Sequence, residues 1–276
     1  MADNQTERQK IIYIVGLNKS GTTWLSVMLA KMKNVINVGE VWYSTHTKQE
    51  DWSHPKYTCT CGDLMSECGF WGQILEESKG IESNTELHKL VLKHFKQHFP
   101  GQALIDTAKF VDTLNTGWLA PELSDQVDIR FIQVVRDYRP WSLSRKRKYS
   151  SIGRHRLLFM HAVRWLFRNV ARDRFLQRCG KPVLTVCYEK LIFDYENELK
   201  RIVEFAGLEK PEQEPAIEDL TIHIVRGNNS RMDSENYKKL RYDSRWTLDS
   251  RFLWLSIFLL PMHWYWKSVN RRNDSA

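Results

Sequence analysis

The chain has 276 residues, of which 42% are hydrophobic, so it is long enough to bury a substantial core within one domain. Its 41 lysine and arginine residues outnumber 33 acidic ones, and the resulting formal net charge of +8 favours anionic ligands. Its five cysteines are an odd number and imply no disulfide framework, which excludes the class of small disulfide-stabilised secreted domains. The polar residues 1–10 lack the apolar stretch of a secretory signal or membrane anchor, so we expect a cytoplasmic protein.

Short apolar runs, separated by helical or irregular stretches, predict the strands of a sheet. These runs are Ile11–Val15, Val35–Val38, Ala103–Ile105, Ile129–Val135 and Pro182–Cys187. Their alternation with helical stretches is typical of an α/β fold, in which helices flank a central parallel sheet. We therefore expect a single domain over residues 1–276, with no internal repeat.

A glycine-containing loop follows the first predicted strand and leads into a predicted helix that begins at Thr22. Gly16 and Gly21 have the separation of a phosphate-binding loop. In nucleotide triphosphatases a lysine follows the second glycine, whereas here Thr22 holds that position and Lys19 lies inside the loop. The loop therefore predicts a site for one phosphate group and disfavours ATP, with backbone N–H groups and the helix dipole binding the anion.

A second candidate anion site follows the fourth predicted strand. Arg136 stands at the end of Ile129–Val135, and Ser144 lies eight residues later in a predicted helix. An arginine at the carboxyl end of a strand, joined by a hydroxyl from the next helix, suits a phosphate monoester in the crevice of an α/β sheet. Taken alone, the same pattern is also typical of a surface ion pair.

Together, the two segments resemble the sulfotransferase superfamily. Residues 16–25 (GLNKSGTTWL) resemble its 5′-phosphosulfate loop, and residues 134–144 (VVRDYRPWSLS) resemble its 3′-phosphate element. Residues 188–191 (YEKL) and 226–231 (RGNNSR) are similar to its other nucleotide-binding elements. The resemblance implies a P-loop-like sulfotransferase fold and an enzyme that uses 3′-phosphoadenosine 5′-phosphosulfate as its donor.

The resemblance also implies which residues bind this donor, but it leaves the acceptor open. We expect the acceptor to be a hydroxyl or an amine of a small molecule or glycan. The expected donor-binding residues are Asn18, Lys19, Ser20, Gly21, Thr22, Thr23, Trp24, Arg136, Ser144, Tyr188, Gly227, Asn228 and Arg231.

Four side chains are candidates for the chemistry. Lys19 is placed to offset charge on the bridging oxygen and the sulfonate. Glu40 is the expected general base, and the family subset that includes tyrosylprotein sulfotransferases has a similar Gly-Glu. Asp106 is the second choice for the base, and Lys109 is a candidate contact to the sulfonate or acceptor. This region has no histidine and so departs from the Lys-Thr-His element of cytosolic steroid and phenol sulfotransferases.

Residues 43–79 predict an irregular insertion beside the site. Four of its side chains can offer zinc ligands: His54, Cys59, Cys61 and Cys68. Their spacing matches no standard finger or ribbon, so we interpret the cysteines as reduced thiols and expect no metal requirement. Aromatic residues in and before the insertion could equally line the acceptor mouth or be packing residues: Trp42, Tyr43, Trp52, Phe70 and Trp71.

Two further stretches stand out by composition. Arg145–Arg174 predicts an amphipathic helix with a basic, solvated face, and residues 246–268 predict an apolar C-terminal element buried in the core or at an interface. The alternatives for the basic helix are contact with the acceptor or with a membrane surface. The C-terminal element is too short to span a bilayer, and its alternative is contact with a membrane surface. The rival functions are a P-loop kinase with a displaced lysine, using Asp106 to bind Mg²⁺, and a basic module that binds nucleic acid or membranes. We expect no nucleic-acid partner.

Overall fold

The predicted strand runs form one parallel sheet in a computed structural model, which describes residues 8–107, 111, 113–145, 154–225, 235–238 and 240–275. The strands are β1 (Gln9–Gly16), β2 (Val35–Gly39), β3 (Ala103–Asp106), β4 (Val127–Val135) and β5 (Val183–Cys187). Their order across the sheet is β2-β3-β1-β4-β5, and every neighbouring pair is parallel. The α/β fold expected from the sequence is confirmed.

Helices cover both faces of this sheet, which explains why its strands are continuously apolar rather than alternating. Ile11, Ile12 and Ile14 of the central strand are all completely buried, although successive side chains point to opposite faces. In chain order the described helices are α1 (Thr22–Leu29), α2 (Val41–Thr45), α3 (Trp71–Glu77), α4 (Asn84–His98), α5 (Tyr138–Arg145), α6 (Arg154–Arg178), α7 (Tyr188–Phe193), α8 (Tyr195–Ala206), α9 (Glu235–Lys238), α10 (Arg251–Trp254) and α11 (Leu260–Ser275).

The expected amphipathic helix Arg145–Arg174 is wrong in its bounds and partly wrong in its exposure. The stretch belongs to two helices, α5 and α6, and the basic residues 146–148 lie outside the described residues. Arg164 and Arg168 are exposed as expected, whereas Arg172 is only 6% exposed. Burial lowers the pKa of Arg172 to about 10 because a charged guanidinium loses hydration there. Only part of the basic stripe therefore faces solvent.

The apolar C-terminal element divides between core and surface. Phe252, Met262 and Trp266 are buried against α5 and α6, while Trp254 and Ile257 are largely exposed. Helix α11 also packs on β5, where the side-chain oxygen of Asn273 accepts the backbone N–H of Cys187 at 2.8 Å. Among the described helices, none has the length and apolar character needed to cross a membrane.

The carboxyl ends of all five strands meet at one edge of the sheet, as parallel pairing requires. From one side of that edge to the other, the strands end at Gly39, Asp106, Gly16, Val135 and Cys187. The candidate residues directly follow these positions. Because β1 is central, its loop has β3 and β2 on one side and β4 and β5 on the other.

Candidate active site at the carboxyl edge of the sheet

The loop after β1 is a tight turn that only a few residue types can form. Gly16 must be glycine, since a Cβ there would lie 2.8 Å from the Val134 carbonyl oxygen. Lys19 and Gly21 both have a left-handed backbone, with φ of 75° and 91°, and the Ser20 N–H donates to the Leu17 carbonyl at 3.0 Å. Helix α1 then begins at Thr22, so its N-terminus and dipole face the loop.

Two side chains from the region after β4 hold this loop through its carbonyl groups. The indole Nε1 of Trp141 donates to the Asn18 carbonyl at 2.8 Å. The Nη1 of Arg136 donates to the Lys19 carbonyl at 2.9 Å. These bonds attach the loop to the segment that follows β4. The two candidate anion sites predicted from the sequence are thus in direct contact.

Arg136 is also stacked on Tyr188, the first residue after β5. Its guanidinium carbon lies 4.8 Å from the centre of the Tyr188 ring, and the same ring packs over Gly21. A carboxylate oxygen of Asp243 lies 3.9 Å from the Nη2 of Arg136. The Nε of Arg136 is buried and has no hydrogen-bond partner among the described residues. The guanidinium thus keeps a buried N–H that an added anion can accept.

The backbone after Arg136 is fixed by buried polar contacts. Trp165 donates its indole Nε1 to the Arg136 carbonyl at 2.9 Å, and the Asp137 N–H donates to the Glu189 carboxylate at 3.0 Å. Burial, with the nearby charge of Asp137, raises the pKa of Glu189 to about 8. Glu189 therefore keeps its proton to a higher pH than an ordinary glutamate does. The strand end that carries Arg136 is rigid for these reasons.

Glu40 lies on the other side of the loop, at the end of β2, and is 3% exposed. The turn into it is built by Asn37, whose side chain accepts the Gly39 N–H at 3.0 Å and donates to the Ser26 hydroxyl of α1 at 2.9 Å. Gly39 has a φ of 75°, which favours glycine at this position. Asn37 therefore ties the position of Glu40 to the helix that follows the phosphate loop.

Asp106 is completely buried next to this turn. Its two carboxylate oxygens accept the Val41 N–H at 3.3 Å and the Trp118 Nε1 at 2.7 Å. Burial raises the pKa of the nearby Tyr13 hydroxyl, and the carboxylates of Asp106 and Glu40 raise it further. Asp106 thus stabilises the start of α2, directly after Glu40.

The model of the Sulfotransferase family matches residues 12–212, which is most of the chain. The matched range includes all five strands except the first residues of β1. The chain belongs to the sulfotransferase family. It transfers a sulfuryl group, and the alternatives of a kinase or of a non-enzymatic binding module are not supported. The family shown here agrees with the one that residues 16–25 and 134–144 resemble.

Several solved sulfotransferase structures are similar to this sulfotransferase at low identity. The sulfotransferase domain of an olefin synthase from Synechococcus PCC 7002 is 16% identical, with a TM-score of 0.49, over 89% of this chain and 88% of that one. STF9 from Mycobacterium avium is 13% identical, with a TM-score of 0.47, over 92% and 76%. Mouse SULT7A1, complexed with PAP, is 14% identical, with a TM-score of 0.45, over 95% and 90%. No curated protein matches the sequence.

The remaining predicted site residues of the sulfotransferase fall into two groups. Trp24 lies in α1, where its indole donates to the Tyr237 carbonyl at 3.0 Å, and Ser144 lies in α5, where its hydroxyl donates to the Trp141 carbonyl at 2.6 Å. The predicted residues that lie outside the described residues are Lys109, Gly227, Asn228 and Arg231.

Three of the five aromatic candidates for the acceptor mouth are packing residues instead. Trp52, Phe70 and Trp71 are at most 6% exposed and belong to the hydrophobic core, because the insertion folds back onto the sheet. Trp42 and Tyr43, in α2 directly after Glu40, remain partly exposed, with ring centres 5.1 Å apart. Only these two of the five remain candidates for contact with an acceptor.

The sequence analysis missed two residues of the region, Trp141 and Asp243. Trp141 stood within the quoted 3′-phosphate segment, but its bond to the Asn18 carbonyl joins positions 123 residues apart. Asp243 lies more than a hundred positions after Arg136 in a segment without any recognised motif. No local pattern in the sequence could have indicated either contact.

Proposed function

We propose that this sulfotransferase takes its sulfuryl group from 3′-phosphoadenosine 5′-phosphosulfate and transfers it to a hydroxyl or amine of a small molecule or glycan. The observation that carries the donor assignment is the contact between the two anion sites. Arg136 lies 2.9 Å from the loop carbonyl of Lys19, yet its Nε is buried without a partner among the described residues. A bisphosphorylated nucleotide offers one phosphate to the loop and another to this guanidinium.

The loop residues would hold the 5′ end of the donor. In this proposal the backbone N–H groups of Gly21–Thr23 face the leaving phosphate at the N-terminus of α1. Asn18, Ser20 and Trp24 complete the loop around it. Arg136 and Ser144 hold the 3′-phosphate, with Gly227, Asn228 and Arg231 as further contacts. Tyr188 contacts both Arg136 and Gly21 and would hold them in position relative to each other.

Lys19 would supply the positive charge that the transfer step needs. As the bond between sulfur and the new acceptor oxygen or nitrogen forms, the bond to the 5′-phosphate oxygen breaks and leaves negative charge on that oxygen. The ammonium of Lys19 offsets this charge, so the proposed step does not require a metal ion. Lys109 would be an additional contact to the sulfonate or acceptor.

Glu40 would accept the proton that the acceptor loses. It follows β2 on the side of the loop opposite Arg136, as expected if the acceptor approaches in line with the departing phosphate. The resemblance to the family subset with a Gly-Glu base supports this role. Asp106 would then be a positioning residue, because its oxygens hold the Val41 N–H and the Trp118 indole.

The partly exposed rings of Trp42 and Tyr43 support an acceptor with a flat or amphipathic surface, such as a ring-bearing small molecule or a sugar. Both rings belong to α2, which begins one residue after Glu40. A bound ring of the acceptor would therefore lie within reach of the proposed base.

Single-turnover kinetics and donor binding test these roles separately. Lys19→Ala is expected to lower turnover at saturating donor by about 10²- to 10³-fold, whereas Lys33→Ala, an exposed lysine near the opposite edge of the sheet, leaves it unchanged. Arg136→Ala is expected to weaken adenosine 3′,5′-bisphosphate binding by about tenfold or more. Mg²⁺-dependent binding of ATP, with no binding of the bisphosphate, would refute the donor assignment.

The base is tested by comparing carboxylates. Glu40→Gln is expected to keep bisphosphate affinity and to lower turnover by about 10²- to 10⁴-fold. Glu50→Gln, an exposed glutamate of the insertion, serves as the matched control. Unchanged turnover in Glu40→Gln, together with loss in a folded Asp106→Asn variant, would move the base to Asp106.

A further inference from the structure

Three cysteines of the insertion converge with a histidine from a distant segment. The sulfur atoms of Cys59, Cys61 and Cys68 and the Nδ1 of His223 all lie within 4.8 Å of one another. His54, which the sequence suggested as the fourth member, is not part of the group. Its exposed Nδ1 instead accepts the Lys56 N–H at 3.1 Å. The histidine of the cluster comes from a segment 155 residues after Cys68.

Four distances within this group are close to those of a tetrahedral zinc site. Zinc–sulfur bonds of about 2.3 Å and zinc–nitrogen bonds of about 2.05 Å place tetrahedral ligands about 3.8 Å apart for two sulfurs and about 3.5 Å apart for sulfur and nitrogen. Cys68 lies 3.6 Å from Cys59 and 3.7 Å from Cys61. His223 Nδ1 lies 3.3 Å from Cys68 and 3.8 Å from Cys59. A disulfide would need sulfur atoms only about 2.05 Å apart.

The surroundings of the cluster also suit a bound metal. Cys59 and Cys68 are buried, and the Trp71 N–H points at the Cys68 sulfur at 3.5 Å, as expected for a donor to a thiolate. The His223 ring is held by Phe70 and Phe99, with ring centres 5.6 Å and 5.8 Å away. Cys61 is exposed and provides a path by which a metal ion can enter.

We propose that Cys59, Cys61, Cys68 and His223 bind one zinc ion through three thiolates and a neutral imidazole. Because four protein ligands complete the tetrahedron, no position stays open for water or substrate, and the site is structural rather than catalytic. Thiolates form from thiols as the ion binds, so binding releases protons to solvent. This proposal does not depend on the identity of the sulfuryl donor or acceptor.

The zinc ion would fasten two distant segments to each other. Without it, Thr60 already joins them, since its hydroxyl donates to the Ile222 carbonyl at 2.7 Å and accepts the Ile224 N–H at 2.9 Å. A metal ion that bridges residues so far apart in the chain lowers the conformational entropy of the unfolded state, and this stabilises the folded state.

The fastened segment touches the turn that carries the proposed base. The His223 N–H donates to the Asn37 carbonyl of β2 at 2.8 Å, and Ile222 forms a parallel bridge with Asn37. Ile224 packs so closely on Gly39 that a Cβ there would lie 3.0 Å from its side chain. Zinc would therefore hold residues 222–225 against β2, immediately before Glu40.

Metal analysis of the full chain tests the proposal directly. Protein purified without chelators from zinc-supplemented medium is expected to contain about one zinc ion per chain. Cys68→Ser and His223→Ala are expected to lose most of it. Two matched controls keep it: Cys179→Ser, whose thiol donates to the Leu176 carbonyl, and His54→Ala. Zinc retained in folded Cys68→Ser and His223→Ala variants, or lost in His54→Ala, would refute this ligand set.

Cobalt substitution gives a readout that does not require a folded variant. Wild-type protein expressed with Co²⁺ is expected to show thiolate-to-cobalt charge transfer and the intense visible bands of tetrahedral coordination. Zinc removal by a chelator should also lower the thermal midpoint and make three more thiols reactive. A metal-free wild-type protein with no cobalt spectrum, or with a disulfide among these cysteines, would overturn the proposal.

Discussion

Replacing Gly21 by alanine tests the contact between the phosphate loop and Tyr188. Gly21 has a φ of 91°, and an added Cβ would lie 2.5 Å from two carbon atoms of the Tyr188 ring. The left-handed backbone costs alanine about 1–2 kcal/mol. Tyr188 is only 8% exposed and cannot swing away freely, so relieving the close contact costs about 1–3 kcal/mol more.

Gly80 provides the control for backbone strain alone. Its φ is 81°, similar to that of Gly21, but an added Cβ there would meet nothing within 4 Å. Gly80→Ala is therefore expected to cost about 1–2 kcal/mol. At about 2–4 °C per kcal/mol for a chain of this size, Gly80→Ala should lower the thermal midpoint by about 2–8 °C. Gly21→Ala, at about 2–5 kcal/mol in total, should lower it by about 4–20 °C.

The stacking of Arg136 on Tyr188 links the Gly21→Ala substitution to donor binding. Moving Tyr188 displaces the guanidinium of Arg136, 4.8 Å from its ring, as well as the loop itself. Calorimetric titration with adenosine 3′,5′-bisphosphate is expected to show at least a tenfold weaker affinity in Gly21→Ala, equivalent to about 1.4 kcal/mol. Gly80→Ala should bind like the wild type. If the two variants were equally stable and bound equally well, the assigned packing of Tyr188 on the loop would be wrong.

Two other substitutions probe the walls of the same site. The pKa of Glu189 is about 8 in the folded protein, against an ordinary value of 4.5. Between these two pH values, the folded state therefore keeps a proton that the unfolded state releases. The free energy of unfolding should therefore fall by up to about 5 kcal/mol as pH rises through this window. Glu189→Gln should abolish this fall in denaturant titrations, and parallel pH profiles of the two proteins would contradict the assignment. Trp141→Phe removes the 2.8 Å bond to the Asn18 carbonyl, and it should lower stability by about 1 kcal/mol and weaken bisphosphate binding. Trp52→Phe loses a 3.0 Å bond to the Thr47 carbonyl and should cost similar stability without changing bisphosphate binding. Equal bisphosphate binding by both variants would show that Trp141 does not hold the loop.

The proposed zinc site shows a limit of reading ligand spacing along the chain. Cys59, Cys61 and Cys68 are close in sequence, and the nearest histidine, His54, completed an unusual set with no known pattern. The fourth ligand proposed here, His223, becomes a neighbour only because residues 222–225 run beside β2. A spacing rule cannot find such a ligand, since spatial neighbours across a sheet have no fixed separation in sequence.

Burial gives a second example of the same limit. Trp52, Phe70 and Trp71 were candidates for either the acceptor mouth or packing, because they lie in an irregular insertion expected beside the site. Without a period, the sequence does not say which way a side chain faces. The fold of the insertion against the sheet then decided that they are core residues, and packing of α6 likewise buried Arg172 among its basic neighbours.

The sequence by itself determined the five strands, their parallel pairing in an α/β fold, and the phosphate loop with Arg136 at the neighbouring strand end. These features follow from local composition. An apolar, β-branched run predicts a strand, and the glycine or charged residue at which the run stops predicts where the strand ends. Only the tertiary structure decided that Arg136 touches the Lys19 carbonyl, that Tyr188 fills the space above Gly21, and that His223 meets the cysteines. Such contacts depend on strand order and on the packing of distant segments, neither of which leaves a local pattern in the chain.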